Sequence, residues 1–200
     1  MTRIDFDALF SGRRVMAILR GLPPAETVRL AETAWDGGVD LVEVPIGRPG
    51  QEEALAAAVE AGAERGHAVG AGTVVSAGHV DRALEAGAAY TVAPGLDERV
   101  LAASEAAGMP HLPGVATASE LQRAAAHGCR WVKVFPAAAL GPAWFKAMAG
   151  PFPDMRFVAT GGVAVDEVDA YLRAGASVIG IGSALADPAA LARLTGNGGE

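Results

Sequence analysis

The chain has 200 residues, 51% of them hydrophobic, enough for one domain with a sizeable core. Its net charge of −7 removes the electrostatic basis for nucleic-acid binding. No stretch approaches the roughly 20 uninterrupted apolar residues that cross a bilayer, and one cysteine, Cys129, excludes an intrachain disulfide framework. The opening MTRIDFDALFSGRR lacks the apolar run and small-residue cleavage site of a signal peptide, so a reducing cytoplasm is the expected compartment.

In chain order, Phe6–Phe10 reads as a short extra helix. A first strand is predicted over Val15–Leu19 and a helix over Ala25–Trp35. The next strand covers Leu41–Val44, followed by a helix over Glu52–Arg65. Strands at Ala68–Ala71, Tyr90–Ala93 and His111–Pro113 alternate with helices at Val80–Ala86, Glu98–Ala107 and Ala118–Ala126. Thr117 and Ser119 are candidate caps of the last of these, and Pro142 suits a first helical turn. Strands over Trp131–Phe135, Arg156–Ala159 and Val178–Ile181, with a helix over Val165–Ala174, complete the series.

These elements repeat one phrase: an Ala-rich helix, a Gly near its C-cap, a short apolar run, then a small or polar residue. Short continuous apolar runs are the mark of buried parallel strands. Eight such units predict a compact (β/α)8 TIM barrel with a short N-terminal helix, one domain over residues 1–200. The doubly wound alternative calls for a Gly-rich loop after the first strand, and RGLPPAE at 20–26 does not supply one.

In such a barrel the C-terminal ends of the strands face the active site. Those ends carry Arg20, Glu43, Gly72-Thr73, Pro94-Gly95, Pro113-Gly114, Lys133, Thr160-Gly161-Gly162 and Gly182-Ser183. Lys133 is one of only two lysines, with Lys146, among 16 basic residues. An arginine cannot act as an amine nucleophile because it does not lose its proton. A lysine inside the apolar run WVKVF is desolvated, which favours the neutral, nucleophilic amine. The structural alternative is a lysine that snorkels or pairs with a carboxylate. Glu43, inside LVEVP, is costly to bury unless it is paired or functional. It is a candidate general acid/base or the partner of an ion pair with Arg20 or Lys133. Gly161-Gly162 and Gly182-Ser183 follow neighbouring strands, where barrels bind phosphate through backbone N–H groups. The four histidines, His67, His79, His111 and His127, show no metal-ligand spacing, and no Cys cluster exists, so no metal is expected. His79 reads as a residue on a solvated helix.

The segments AILRG (17–21), VEVP (42–45), GAGTV (70–74), PG (94–95), VKVFPA (132–137), TGGV (160–163) and GIGSAL (180–185) resemble the 2-keto-3-deoxy-6-phosphogluconate / 2-keto-3-deoxy-6-phosphogalactonate aldolases. The match runs in order along nearly the whole chain. The resemblance implies a class I, metal-free and cofactor-free carbon–carbon lyase acting on a phosphorylated keto-deoxy sugar acid, and a homotrimer. It implies that Lys133 forms a Schiff base and that Glu43 is the acid/base. Arg20 and Thr73 would hold the pyruvyl carboxylate end, Pro94, Phe135 and Thr160 would line the substrate, and Gly161, Gly162, Gly182 and Ser183 would take the phosphate. VEVPIGRPG and LGPAWFKAM resemble the galactonate type, whereas AGPFPDMRF and Thr160 resemble the gluconate type. Arg48 stands one residue from the place of an Arg in the gluconate type, and its role stays open. Other readings of a lysine beside a phosphate site are a pyridoxal-phosphate protein, a non-catalytic sugar-phosphate binder and a phosphosugar isomerase.

Overall fold

The computed structural model describes residues 5–182 and 188–195. Nine strands, all paired in parallel, follow the order β5-β4-β3-β2-β1-β9-β8-β7-β6. They are β1 (Val15–Ile18), β2 (Leu41–Pro45), β3 (Val69–Gly72), β4 (Tyr90–Val92), β5 (His111–Leu112), β6 (Gly114–Val115), β7 (Trp131–Val134), β8 (Arg156–Thr160) and β9 (Ala176–Ile181). The two ends of this order, β5 and β6, are consecutive pieces of one extended segment. β5 pairs with β4 and β6 with β7, so the eight predicted strands close into a barrel at Pro113. Pro113 has no N–H to give a ladder. Its carbonyl still accepts from Lys133 N–H at 2.8 Å, and Phe135 N–H donates to Val115 at 3.1 Å.

The outer layer comprises α2 (Pro24–Asp36), α3 (Gln51–Arg65), α4 (Ala77–Glu85), α5 (Glu98–Ala106), α6 (Ala118–Ala126), α7 (Ala137–Leu140), α8 (Pro142–Ala149), α9 (Val168–Arg173) and α10 (Pro188–Thr195). Several boundaries follow from caps. α2 starts with Pro24 at a position where a missing N–H costs nothing. Thr117 and Glu120 form a reciprocal capping box at α6, while Ser119 lies inside that helix and is not its cap. α4 begins three residues before the predicted Val80 because the Ser76 side chain accepts from His79 N–H. The predicted helix at Val165–Ala174 is a 3-10 turn over Val165–Glu167 leading into α9.

Strand alternation sorts the side chains into two layers. Val15, Val42, Val44, Val132, Val134, Ala159 and Ile179 pack outward under the helices. Met16, Leu41, Tyr90, Leu112, Trp131, Val158 and Val178 fill a second cluster, into which α1 (Phe6–Phe10) sends Phe6 and Phe10. Phe10 meets Trp131 edge-on at 4.6 Å, and Phe6 meets Tyr90 at 5.9 Å. Asp7 fixes this helix by accepting from Trp131 Nε1 at 2.7 Å and Arg130 Nη1 at 2.6 Å. One pleat further along their strands, on the same face, stand Glu43, Gly114, Lys133, Thr160 and Gly180.

Candidate active site

Lys133 is the third residue of β7, two positions beyond Trp131, and Glu43 is the third of β2, two beyond Leu41. Alternation therefore aims both inward, above the aromatic and aliphatic floor. The Lys133 side chain is 4% exposed and the Glu43 side chain 0%, and Nζ donates to Glu43 Oε1 at 3.4 Å. The second carboxylate oxygen, Oε2, is buried without a partner. An ammonium–carboxylate pair removed from water is weak evidence of a purely stabilising role, because desolvation offsets much of the attraction. A proton moving from amine to carboxylate within this pair leaves a neutral amine beside a carboxylic acid.

The carboxylate fits because its neighbours lack side chains. A Cβ on Gly72 would lie 2.0 Å from Glu43 Oε1, and one on Gly180 would lie 2.5 Å from Thr160 Cγ2. Below Glu43, the Tyr90 hydroxyl donates to the Val42 carbonyl at 2.9 Å. Burial, and then the Glu43 carboxylate, push that phenol far above its usual range, so Tyr90 stays a neutral donor.

A cavity of about 1140 Å³ opens above the pair. Arg20, Thr73, Pro94, Lys133, Phe135, Thr160, Gly161, Gly162 and Gly182 all line it, whereas Glu43 is fully buried behind Lys133 and is not part of the lining. Ser183 lies outside the described residues. Arg48 is exposed and does not line the cavity; its N–H donates to Gln51 Oε1 at 3.2 Å. Arg20 Nη1 donates to Thr73 Oγ1 at 3.4 Å, and Lys133 Nζ stands 5.8 Å from the Phe135 ring centre. Thr160 Oγ1 is buried with no partner. Gly161 and Gly162 take φ values of +93° and +83°, which side chains rarely adopt, and a Cβ on Gly161 would strike the Phe135 ring at 2.8 Å. Among the described residues, no cluster of three or more His, Cys, Asp or Glu side chains could hold a metal, and no helix is long and apolar enough to cross a membrane.

The family model described as KDPG and KHG aldolase matches residues 7–194. The chain belongs to the KDPG and KHG aldolase family. It is 34% identical to the 2-dehydro-3-deoxy-6-phosphogalactonate aldolase of Escherichia coli K12 over 86% of this chain and 83% of that protein. It is 36% identical to the 2-dehydro-3-deoxy-phosphogluconate aldolase of Pseudomonas aeruginosa over 83% and 75%. It superposes with a TM-score of 0.82, at 29% identity and 94% coverage of both chains, on a KDPG aldolase from Legionella pneumophila that holds pyruvate as a covalent carbinolamine.

Two parts of the site escape a residue-by-residue reading. Gly72 reads as a strand end and Gly180 as a position inside the last strand, whereas they clear space for Glu43 and Thr160. His79 lies on α4 as expected for a helical residue, but it is only half exposed, and its Nδ1 accepts from Val75 N–H at 3.2 Å.

Proposed function

We propose that this chain cleaves 2-keto-3-deoxy-6-phospho sugar acids to pyruvate and D-glyceraldehyde 3-phosphate through a Schiff base on Lys133. The observation that carries the reading is the buried contact from Lys133 Nζ, which lines the cavity, to Glu43 Oε1 behind it. The family supplies the reaction class, and the Legionella relative holds pyruvate as a carbinolamine, which is the intermediate that precedes such a Schiff base.

With its proton on Glu43, the Lys133 amine attacks the C2 carbonyl, and Glu43 returns that proton to the departing carbinolamine hydroxyl, which leaves as water and gives an iminium. The iminium draws electrons from C3. Glu43, as carboxylate, takes the proton of the C4 hydroxyl, the C3–C4 bond breaks, and the aldehyde leaves. The remaining enamine is protonated at C3 and hydrolysed, which releases pyruvate and the amine. Glu43 Oε2 is buried and has no partner, so it keeps the capacity to accept that proton through a water. Arg20 and Thr73 hold the pyruvyl carboxylate in this scheme. Pro94 and Phe135 wall the reacting carbons, and Thr160 offers its unpartnered hydroxyl to the sugar chain. Gly161, Gly162 and Gly182, with Ser183, receive the distal phosphate. That contact orients the scissile bond through binding energy remote from it. Both C4 epimers are proposed as substrates, because both kinds of relative match at similar identity. The proposed form is a single-domain, metal-free homotrimer in the cytoplasm; sedimentation equilibrium checks the assembly.

Borohydride reduction in the presence of pyruvate tests the reading. It is expected to inactivate the protein and leave one reduced pyruvyl group on Lys133. An adduct on the exposed Lys146 of α8, or none, overturns it.

A further inference from the structure

Thr73 is the one non-glycine residue with positive φ among the described residues, at +59°. A β-branched side chain is strongly disfavoured in that region. The surroundings hold it there. Val74 N–H donates to the Val92 carbonyl at 3.0 Å, and Gly47 leaves room for Thr73 Cγ2, since a Cβ on Gly47 would lie 2.7 Å from it. This conformation places Oγ1 within reach of Arg20 Nη1 at the cavity wall.

The turn leaving Thr73 is closed by a histidine. Val75 N–H donates to His79 Nδ1 at 3.2 Å, the same ring faces the Thr73 carbonyl, and His79 N–H is tied to the Ser76 hydroxyl at 3.2 Å. We infer that His79 is a positioning residue for the aldol site, holding Thr73 in its left-handed conformation by accepting from Val75 N–H, and that this support fails when the ring is protonated. The inference rests on the proposed role of Thr73 at the pyruvyl carboxylate.

Accepting at Nδ1 requires a lone pair there, so the ring must be neutral with its proton on Nε2. An imidazolium has only N–H donors, and Nδ1–H would then meet Val75 N–H head-on. The groups around the ring act in both directions. Burial and Arg82 on α4 disfavour the charged ring, while the Thr73 carbonyl and Glu52 on α3 favour it. The net effect holds His79 below the usual imidazole range. The supporting contact is therefore intact at neutral pH and is lost as acidity passes that lowered value.

The test compares wild type, His79→Ala and His79→Gln. A glutamine amide oxygen can accept from Val75 N–H at any pH. His79→Ala is expected to raise KM for the phosphorylated keto acid about tenfold at neutral pH, the scale of one lost hydrogen bond, with kcat changed much less. His79→Gln is expected to restore most of that KM and to lack the acid-side rise in KM that wild type shows. Amide exchange at Val75, measured without substrate, is expected to accelerate in His79→Ala and not in His79→Gln. An unchanged KM in His79→Ala overturns the inference, as does an identical acid limb in His79→Gln. The exchange measurement does not depend on turnover. Failure of borohydride trapping with normal Val75 behaviour would therefore count against the aldol reading alone, and unprotected Val75 in wild type against His79 alone.

Discussion

Glu43 and Lys133 meet across the barrel at 3.4 Å although 90 residues separate them in the chain. Each is the third residue of its strand, and each would be an uncompensated buried charge without the other. The proposed chemistry and the burial cost thus meet at one contact, and substitutions are expected to separate them.

Glu43→Gln keeps the shape but cannot take a proton from the C4 hydroxyl. Turnover is expected to fall about 10²–10⁴-fold, the usual contribution of a positioned acid/base. Borohydride should still trap pyruvate on Lys133. Turnover close to wild type in the coupled pyruvate assay would make Glu43 structural.

Lys133→Met removes one partner and leaves the Glu43 carboxylate buried. A loss of about 3–5 kcal/mol of stability is expected from denaturant unfolding. Adding Glu43→Gln should recover a large part of it while activity stays absent. A double variant as unstable as the single one would show that the pair is not the source of the loss.

Gly72→Ala tests the space beside the carboxylate. Its Cβ would come 2.0 Å from Glu43 Oε1, so the carboxylate must move away from Nζ. A displacement of about 1 Å can cost roughly 10²-fold in rate. The expected outcome is a folded barrel by circular dichroism with kcat reduced on that scale.

His111 supplies a pH dependence of stability. Its ring is buried, Nδ1 pairs with Thr91 Oγ1 at 2.7 Å, and Nε2 has no partner. Burial pushes its pKa from 6.5 down to about 4 in the folded chain. A base with a depressed folded value is neutral in both states above pH 6.5, where its full contribution is present. As pH falls from 6.5 toward 4 the unfolded chain binds the proton first, and stability declines by on the order of 3 kcal/mol. Unfolding midpoints between pH 7 and pH 4 should drop less steeply in His111→Gln than in wild type.

Much of this was legible in the residues. Lys133 stood out because a lone lysine interrupts an apolar strand in a chain that otherwise favours arginine, and Glu43 because LVEVP has no other polar group. The eight strands were legible because parallel strands buried on both faces read as apolar runs. The break at Pro113 was not, since it arises from one segment pairing with β4 on one side and β7 on the other. α7 was hidden because AAAL offers little period to read, while α8 was legible only at its start, through Pro142. The roles of Gly72 and His79 depend on what stands opposite them in space, on β2 and at the end of β3, and no local pattern encodes that.

Pro113 also divides the chemistry. Glu43, Thr73 and Pro94 precede it, while Lys133, Phe135 and Thr160 follow, so the residues proposed for the reaction are divided between the two halves of the chain. The carbonyl of Pro113 is held by the backbone N–H of Lys133 itself. The residue proposed to supply the amine therefore also helps latch the ring through its own backbone.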